Sequence, residues 1–172
     1  MDVTKLNRAA AAPGAGEEDS AFYQQLLHCC GSRRWVTEMQ KKFPVRDFEK
    51  LCHVSDEVDG TLTREDWLEA FGAHPQIGRA KKPIKEWEAQ EQQVAATKDA
   101  DEIILDRLEE LNNAYFEKFG YIYIVCATGK SAVEMLRILE SRIGNSRDEE
   151  LPIAAAEQSK ISKLRLEKLL QE

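Results

Sequence analysis

At 172 residues the chain has room for one domain with a substantial hydrophobic core. Its net charge of -7 and isoelectric point of about 5.2, with Lys and Arg interleaved among acids, argue against nucleic acid as a partner. No apolar run approaches the roughly 20 residues a spanning helix requires, the longest being Tyr121 to Ala127; no membrane association and a soluble protein are therefore expected. Residues 9–12 are too few and too weakly apolar for a signal-peptide core.

Residues 1–18, with an Ala-Ala-Ala-Ala-Pro-Gly-Ala-Gly tract, show no apolar periodicity and read as a flexible N-terminal tail, leaving residues 19–172 as the folded domain. Helical patterns then follow in close succession. The first covers Ser20 to Cys30, ended by Gly31; the second covers Ser32 to Phe43, ended by Pro44. Arg46 to Val58 runs to Asp59-Gly60, and Thr63 to Gly72 precedes a histidine and a proline. The second half adds Ile84 to Thr97, then Asp99 to Phe119 with Ile104, Leu108, Leu111, Tyr115 and Phe119 at helical spacing, then Ser131 to Ile143 and Leu151 to Leu170. Tyr121 to Ala127 differs, being β-branched and aromatic between Gly120 and Thr128-Gly129. With no second strand to pair with, it reads as an extended, buried connector. The expected fold is all-α, a single-domain bundle of about eight helices with that one connector.

Cys29, Cys30, Cys52 and Cys126 include no C-x-x-C pair, which disfavours a disulfide framework and a zinc site alike. In His28-Cys29-Cys30 consecutive helical residues point in different directions, so a structural role is expected and no metal ligand is assigned.

Three polar residues stand out. His74 follows the amphipathic stretch Thr63 to Ala73, whose apolar side carries Trp67, Leu68 and Phe71, and Pro75 comes directly after it. Proline fixes its own φ and drives the preceding residue out of the α region, so the imidazole sits on an abrupt break, where it could exchange a proton near neutral pH. The plain alternative is a surface histidine in a loop. Glu91 is in line with Trp87, Val94 and Ala95, and Arg165 with Ile161 and Leu169, so each charge interrupts an apolar helix face. A buried charge costs several kcal/mol unless it is paired. Either Glu91 and Arg165 pair or reach to the surface, or they line a pocket with His74, with Arg165 receiving a carboxylate and Glu91 steering the imidazole.

At the level of motifs the chain resembles the decarboxylases of purine breakdown that act on 2-oxo-4-hydroxy-4-carboxy-5-ureidoimidazoline (OHCU). The resemblance lies in Phe71-Gly-Ala-His-Pro-Gln-Ile-Gly78, Glu91-Gln92, Lys118-Phe-Gly-Tyr-Ile-Tyr-Ile-Val-Cys-Ala127 and Ile161-Ser-Lys-Leu-Arg-Leu166, in order, and extends from Ser20 to Leu170. It implies an all-α homodimer that uses no cofactor and converts OHCU to (S)-allantoin and carbon dioxide. It further implies that His74 and Glu91 are catalytic and that Arg165 grips the substrate, with Pro75, Gln92, Tyr123, Ile124, Val125, Cys126 and Ala127 lining the ureidoimidazoline site. The three residues then surround one cavity.

One position departs from the pattern. The family commonly has Ser three residues before the Glu-Gln pair; this chain has Glu88, whose carboxylate would repel an anionic substrate if it faced the pocket. Some relatives are fused to a transthyretin-like domain that makes OHCU; this chain shows the decarboxylase part, either stand-alone or as a piece of a longer protein. The ending Leu-Leu-Gln-Glu is not the Ser-Lys-Leu peroxisomal address, so the expected compartment is the cytosol, with peroxisomal targeting by another route left open. The alternatives to a decarboxylase are a helical interaction module without catalysis and a different small-molecule lyase or hydrolase on the same frame.

Overall fold

The computed structural model describes residues 2–74 and 102–172. Among the described residues there are eight helices and no strand, so the fold is all-α: α1 (Thr4–Ala11), α2 (Ala21–Cys29), α3 (Arg33–Gln40), α4 (Phe48–Asp59), α5 (Arg64–Gly72), α6 (Glu102–Phe119), α7 (Ala132–Arg142) and α8 (Arg147–Gln171). The helix expected over Ile84 to Thr97 lies outside the described residues. The chain forms two compact units, Met1–Ala73 with Gln158–Glu172, and His74–Glu157; α8 starts in the second and ends in the first. None of the described helices is long and apolar enough to cross a membrane.

Side-chain caps explain where the helices begin. Ser20, Ser32, Asp47, Thr63 and Ser131 accept hydrogen bonds from the backbone N–H groups of Tyr23, Trp35, Lys50, Asp66 and Glu134. Each satisfies a donor that the first helical turn would leave without a partner. At Thr63 the cap is reciprocal, because the Asp66 carboxylate accepts from the Thr63 N–H at 2.9 Å.

In the first unit Leu26, Trp35, Val36, Met39, Leu51, Phe71 and Leu166 are fully buried. The stretch expected to be a tail contains α1. Val3 and Leu6 are buried, and the Asn7 amide exchanges hydrogen bonds with the backbone of Val45, donating to its carbonyl at 2.8 Å and accepting from its N–H at 2.9 Å. Two apolar residues and one amide tie down a segment whose alanine tract has no stripe of its own.

In the second unit the Tyr115 ring packs against Phe119, Tyr121 and Tyr123, with centroids 4.5, 5.8 and 5.7 Å away. Gly120, with φ of 84°, closes α6 by donating to the Phe116 carbonyl at 2.8 Å, a left-handed position that favours glycine. The run that follows belongs to no helix or strand and, except for half-buried Ile122, is buried throughout. It has no strand partner among the described residues, as expected, and side chains take up its backbone groups instead. Arg142 Nη1 donates to the Ile124 carbonyl at 2.7 Å, the Cys126 N–H donates to Glu157 Oε1 at 3.0 Å, and Lys130 Nζ donates to the Cys126 carbonyl at 2.8 Å. Polar backbone can be buried only on such terms.

The last helix starts earlier than the sequence pattern suggests. Pro152 argues for a beginning at Leu151, yet α8 begins at Arg147, because Ser146 and Glu149 cap it reciprocally at 3.1 Å in both directions. Proline on the second turn forfeits one ladder bond, and the acids Asp148, Glu149 and Glu150 favour the helix N-terminus.

Candidate functional site

Helix α5 carries His74 at its end. It is anchored on the start of α3, where Glu69 accepts from the Arg33 N–H at 3.0 Å and from Arg33 Nε at 2.8 Å, and Asp66 lies 3.6 Å from Arg34. Buried Phe71 and Trp67 face the core, while Leu68 is half-buried. Ala73 closes the helix in the αR region, with its N–H bonded back to the Ala70 carbonyl. His74 follows on a bend and is half-buried.

Arg165 lies on α8 between Ile161 and Leu169, which are buried, and is itself only 5% exposed. The guanidinium therefore does not reach to the surface, and Nη1 donates to the His28 carbonyl at 3.2 Å, at the C-terminal end of α2. Carbonyls there have no partner within the helix, so a cation is favoured. Beside it, Gln158 and Ser162 are buried and bonded to each other at 3.1 Å. Burial pushes the nearby Cys30 thiol up to about 12, against the opposing pull of the Ser32 backbone, Ser162 and Arg165. The four cysteines form no disulfide; Cys29, Cys30 and Cys126 are buried and Cys52 is half-buried.

Of the lining residues expected from the sequence, Tyr123, Ile124, Val125, Cys126 and Ala127 are all buried. The Tyr123 hydroxyl donates to the Met135 carbonyl at 3.0 Å, and burial raises its pKa above the ordinary tyrosine value. Tyr123 to Ala127 fall in the same compact unit as His74, and Arg165 falls in the other. Pro75, Glu88, Glu91 and Gln92 lie outside the described residues. The expectation that His74, Glu91 and Arg165 surround one cavity depends on Glu91 and so extends beyond them.

Sequence reasoning missed a buried cluster behind the connector. Arg142 and Glu150 form an ion pair through Nε at 2.9 Å and through Nη2, with both side chains at most 6% exposed. Glu150 also accepts from the Tyr115 hydroxyl at 2.5 Å and from Asn145 Nδ2 at 3.1 Å. The guanidinium lies 5.0 Å from the Tyr123 ring centroid. Burial and the neighbouring Glu150 carboxylate raise the Tyr115 pKa well above the ordinary phenol value, so it acts as a neutral donor. A sequence signal existed: Arg142 stands three residues after Leu139 and seven after Met135, both buried, the same in-stripe placement that singles out Arg165.

Comparison with known proteins defines the class. The family model for OHCU decarboxylase matches residues 16–167, spanning both compact units. The chain belongs to the OHCU decarboxylase family. It is 40% identical over 147 residues to the uric acid degradation bifunctional protein TTL of Arabidopsis thaliana, a match covering 82% of this chain and 45% of that protein. It is 32% identical over 108 residues to the 2-oxo-4-hydroxy-4-carboxy-5-ureidoimidazoline decarboxylase of Halalkalicoccus jeotgali, covering 62% and 60% of the two chains. A crystal structure of OHCU decarboxylase in the presence of (S)-allantoin superimposes with a TM-score of 0.76 at 36% identity, covering 86% of this chain and 98% of that one. The chain thus spans less than half the length of the plant bifunctional protein, and 33% of a bifunctional relative from Bacillus sp..

Proposed function

We propose that this chain decarboxylates OHCU to (S)-allantoin in urate degradation, without a cofactor. The observation that carries the reading is the family match over residues 16–167, and it is supported by a guanidinium, Arg165, buried on an apolar helix face where the family motif has its substrate-gripping arginine. A cation held at low exposure is suited to a carboxylate-bearing substrate, because the pair interacts more strongly there than in water.

The chemistry asks little beyond orientation and one proton. When the carbon–carboxylate bond breaks, its electron pair enters the adjacent C=N and carbonyl system of the substrate, which serves as its own electron sink; carbon dioxide leaves and a proton is added to the ring carbon. In this reading Arg165 holds the anion and His74 with Glu91 moves the proton on one face, which yields a single enantiomer. Pro75, Glu88, Gln92 and the Tyr123 to Ala127 segment form the walls. The Cys126 N–H is already engaged by Glu157, the Ile124 carbonyl by Arg142, and the Cys126 and Ala127 carbonyls by Lys130, so the ring's amide edges are assigned to the remaining backbone groups of that segment. The chain is further proposed to act as a homodimer, in the cytosol or the peroxisome, downstream of a transthyretin-like hydrolase.

The test is to add the purified protein to freshly generated OHCU and follow the circular dichroism of (S)-allantoin. A rising signal at a rate proportional to protein concentration is expected. A folded protein that leaves the decay of OHCU unaccelerated would overturn the reading in favour of a helical interaction module, and turnover of a different small acid would favour another lyase. Light scattering on the same sample checks the dimer.

A further inference from the structure

The short turn that ends α2 touches both a residue proposed for the site and the neighbour of another. At its start, the His28 carbonyl accepts from Arg165 Nη1 at 3.2 Å. At its end, Gly31 faces Ala73, the residue joined directly to His74. A Cβ added at Gly31 would lie 2.4 Å from the Ala73 Cβ, whereas its next neighbours, the Ala70 carbonyl oxygen and Cα, would be at 3.6 and 3.7 Å, in ordinary contact.

Glycine at 31 is therefore required by space and not by backbone conformation, since among the described residues the glycines with positive φ are Gly14, Gly120 and Gly129. Nonbonded carbons settle at about 3.5 to 4.0 Å, so a methyl group at position 31 would drive Ala73 back by about 1 Å. Little else can yield. Ala73 is tied to α5 by its own N–H, α5 is clamped to the start of α3 by Glu69 and Arg33, and Ala70 and Phe71 are fully buried.

We infer that Gly31 is a positioning residue for catalysis: by letting the α2 turn close onto Ala73, it sets the point from which His74 leaves α5. The inference rests on the reading of His74 as the proton-transfer residue. A displacement of about 1 Å is enough to lower a rate by about 100-fold when a reacting group must be aimed.

Four proteins assayed side by side with OHCU test this: Gly31→Ala, Ala73→Gly, the double variant Gly31→Ala/Ala73→Gly, and His74→Asn. Gly31→Ala is expected to lower kcat by about 10- to 100-fold with KM little changed and cooperative unfolding retained. Ala73→Gly, which removes the opposing methyl, is expected to keep near-normal kcat, and the double variant to recover most of the loss, a coupling that a general loss of stability would not produce. Full activity in Gly31→Ala while His74→Asn is inactive overturns the inference alone. Full activity in His74→Asn overturns the reading beneath it, and with it the inference. Should Gly31→Ala fail to fold, the double variant decides: near-normal turnover supports the steric argument, and a folded but inactive or an unfolded double variant overturns it.

Discussion

Arg142 donates from Nη1 to the carbonyl oxygen of Ile124 at 2.7 Å while its other nitrogens hold Glu150. One buried cation thus serves both an ion pair and the backbone of the segment proposed to line the site. Arg142→Met leaves the Glu150 carboxylate in the core with only Tyr115 and Asn145 as neutral donors. The expected loss is about 3 to 5 kcal/mol in urea unfolding, the usual cost of stranding one partner of a buried pair. Arg142→Met combined with Glu150→Leu is expected to recover part of it. A loss under about 1 kcal/mol in the single variant would place the pair in the class of exposed ion pairs.

His74→Asn should cost about 10² to 10⁴ in turnover, the range of a positioned acid or base, with an unchanged unfolding curve. Arg165→Lys preserves charge but loses the planar fork, so KM is expected to rise about tenfold or more. Steady-state kinetics on both variants separates the roles; an Arg165→Lys enzyme with unaltered KM removes the guanidinium from substrate recognition.

Asp59, the last residue of α4, has its carboxyl pKa pushed up to about 6, chiefly by burial and further by the charge of Asp56, against the Ser159 hydroxyl donating at 2.7 Å and the charge of Lys163. The native state therefore keeps a proton between about pH 4 and 6 that the unfolded chain has released. Through this group, stability is greatest at the acid end of that window, falls as pH rises to 6, and is flat above it. Asp59→Asn, which can still accept from Ser159, is expected to be more stable than wild type by about 1 to 3 kcal/mol at pH 7.5 and to lose that advantage near pH 4. Urea midpoints of the two proteins at both pH values give the difference directly, and a pH-independent difference would remove Asp59 from the account.

Thiol titration offers a simple check on packing. Cys52 is half-buried whereas Cys29, Cys30 and Cys126 are buried, and burial pushes the Cys30 thiol up to about 12. With an aromatic disulfide reagent at pH 8, Cys52 should react first and the other three only on unfolding, because the thiolate is the reacting species. Rapid modification of Cys30 in the native protein would contradict the structure.

Glu88 stands where the family commonly has serine. Glu88→Ser is expected to lower KM if the carboxylate faces the substrate and to leave it unchanged if it faces water.

Much of this was legible in the sequence because it was encoded locally. Ser20, Ser32, Asp47, Thr63 and Ser131 cap helices that periodicity alone had placed to within a few residues. The connector was readable from its β-branched and aromatic composition between glycines, and Arg165 from its place in an apolar stripe. What escaped depended on partners remote in sequence. Nothing within residues 4–11 announces that Asn7 will bond to Val45, 38 positions on. The Ser146–Glu149 cap was overshadowed by Pro152, a strong helix breaker in general that here lies inside the helix. The Arg142–Glu150 pair required noticing that a charge at the end of one helix faced another at the start of the next.

The run from Tyr121 to Ala127 has an odd genetic architecture. Its course is dictated by residues outside it, Arg142 and Glu157 on two helices and Lys130 on the loop that leads into the first of them. A strand draws its shape from the strand beside it, so its own mutations propagate along a ladder. Here the side chains of the proposed wall can change one at a time, altering what it would discriminate, while its path stays under the control of three residues outside it.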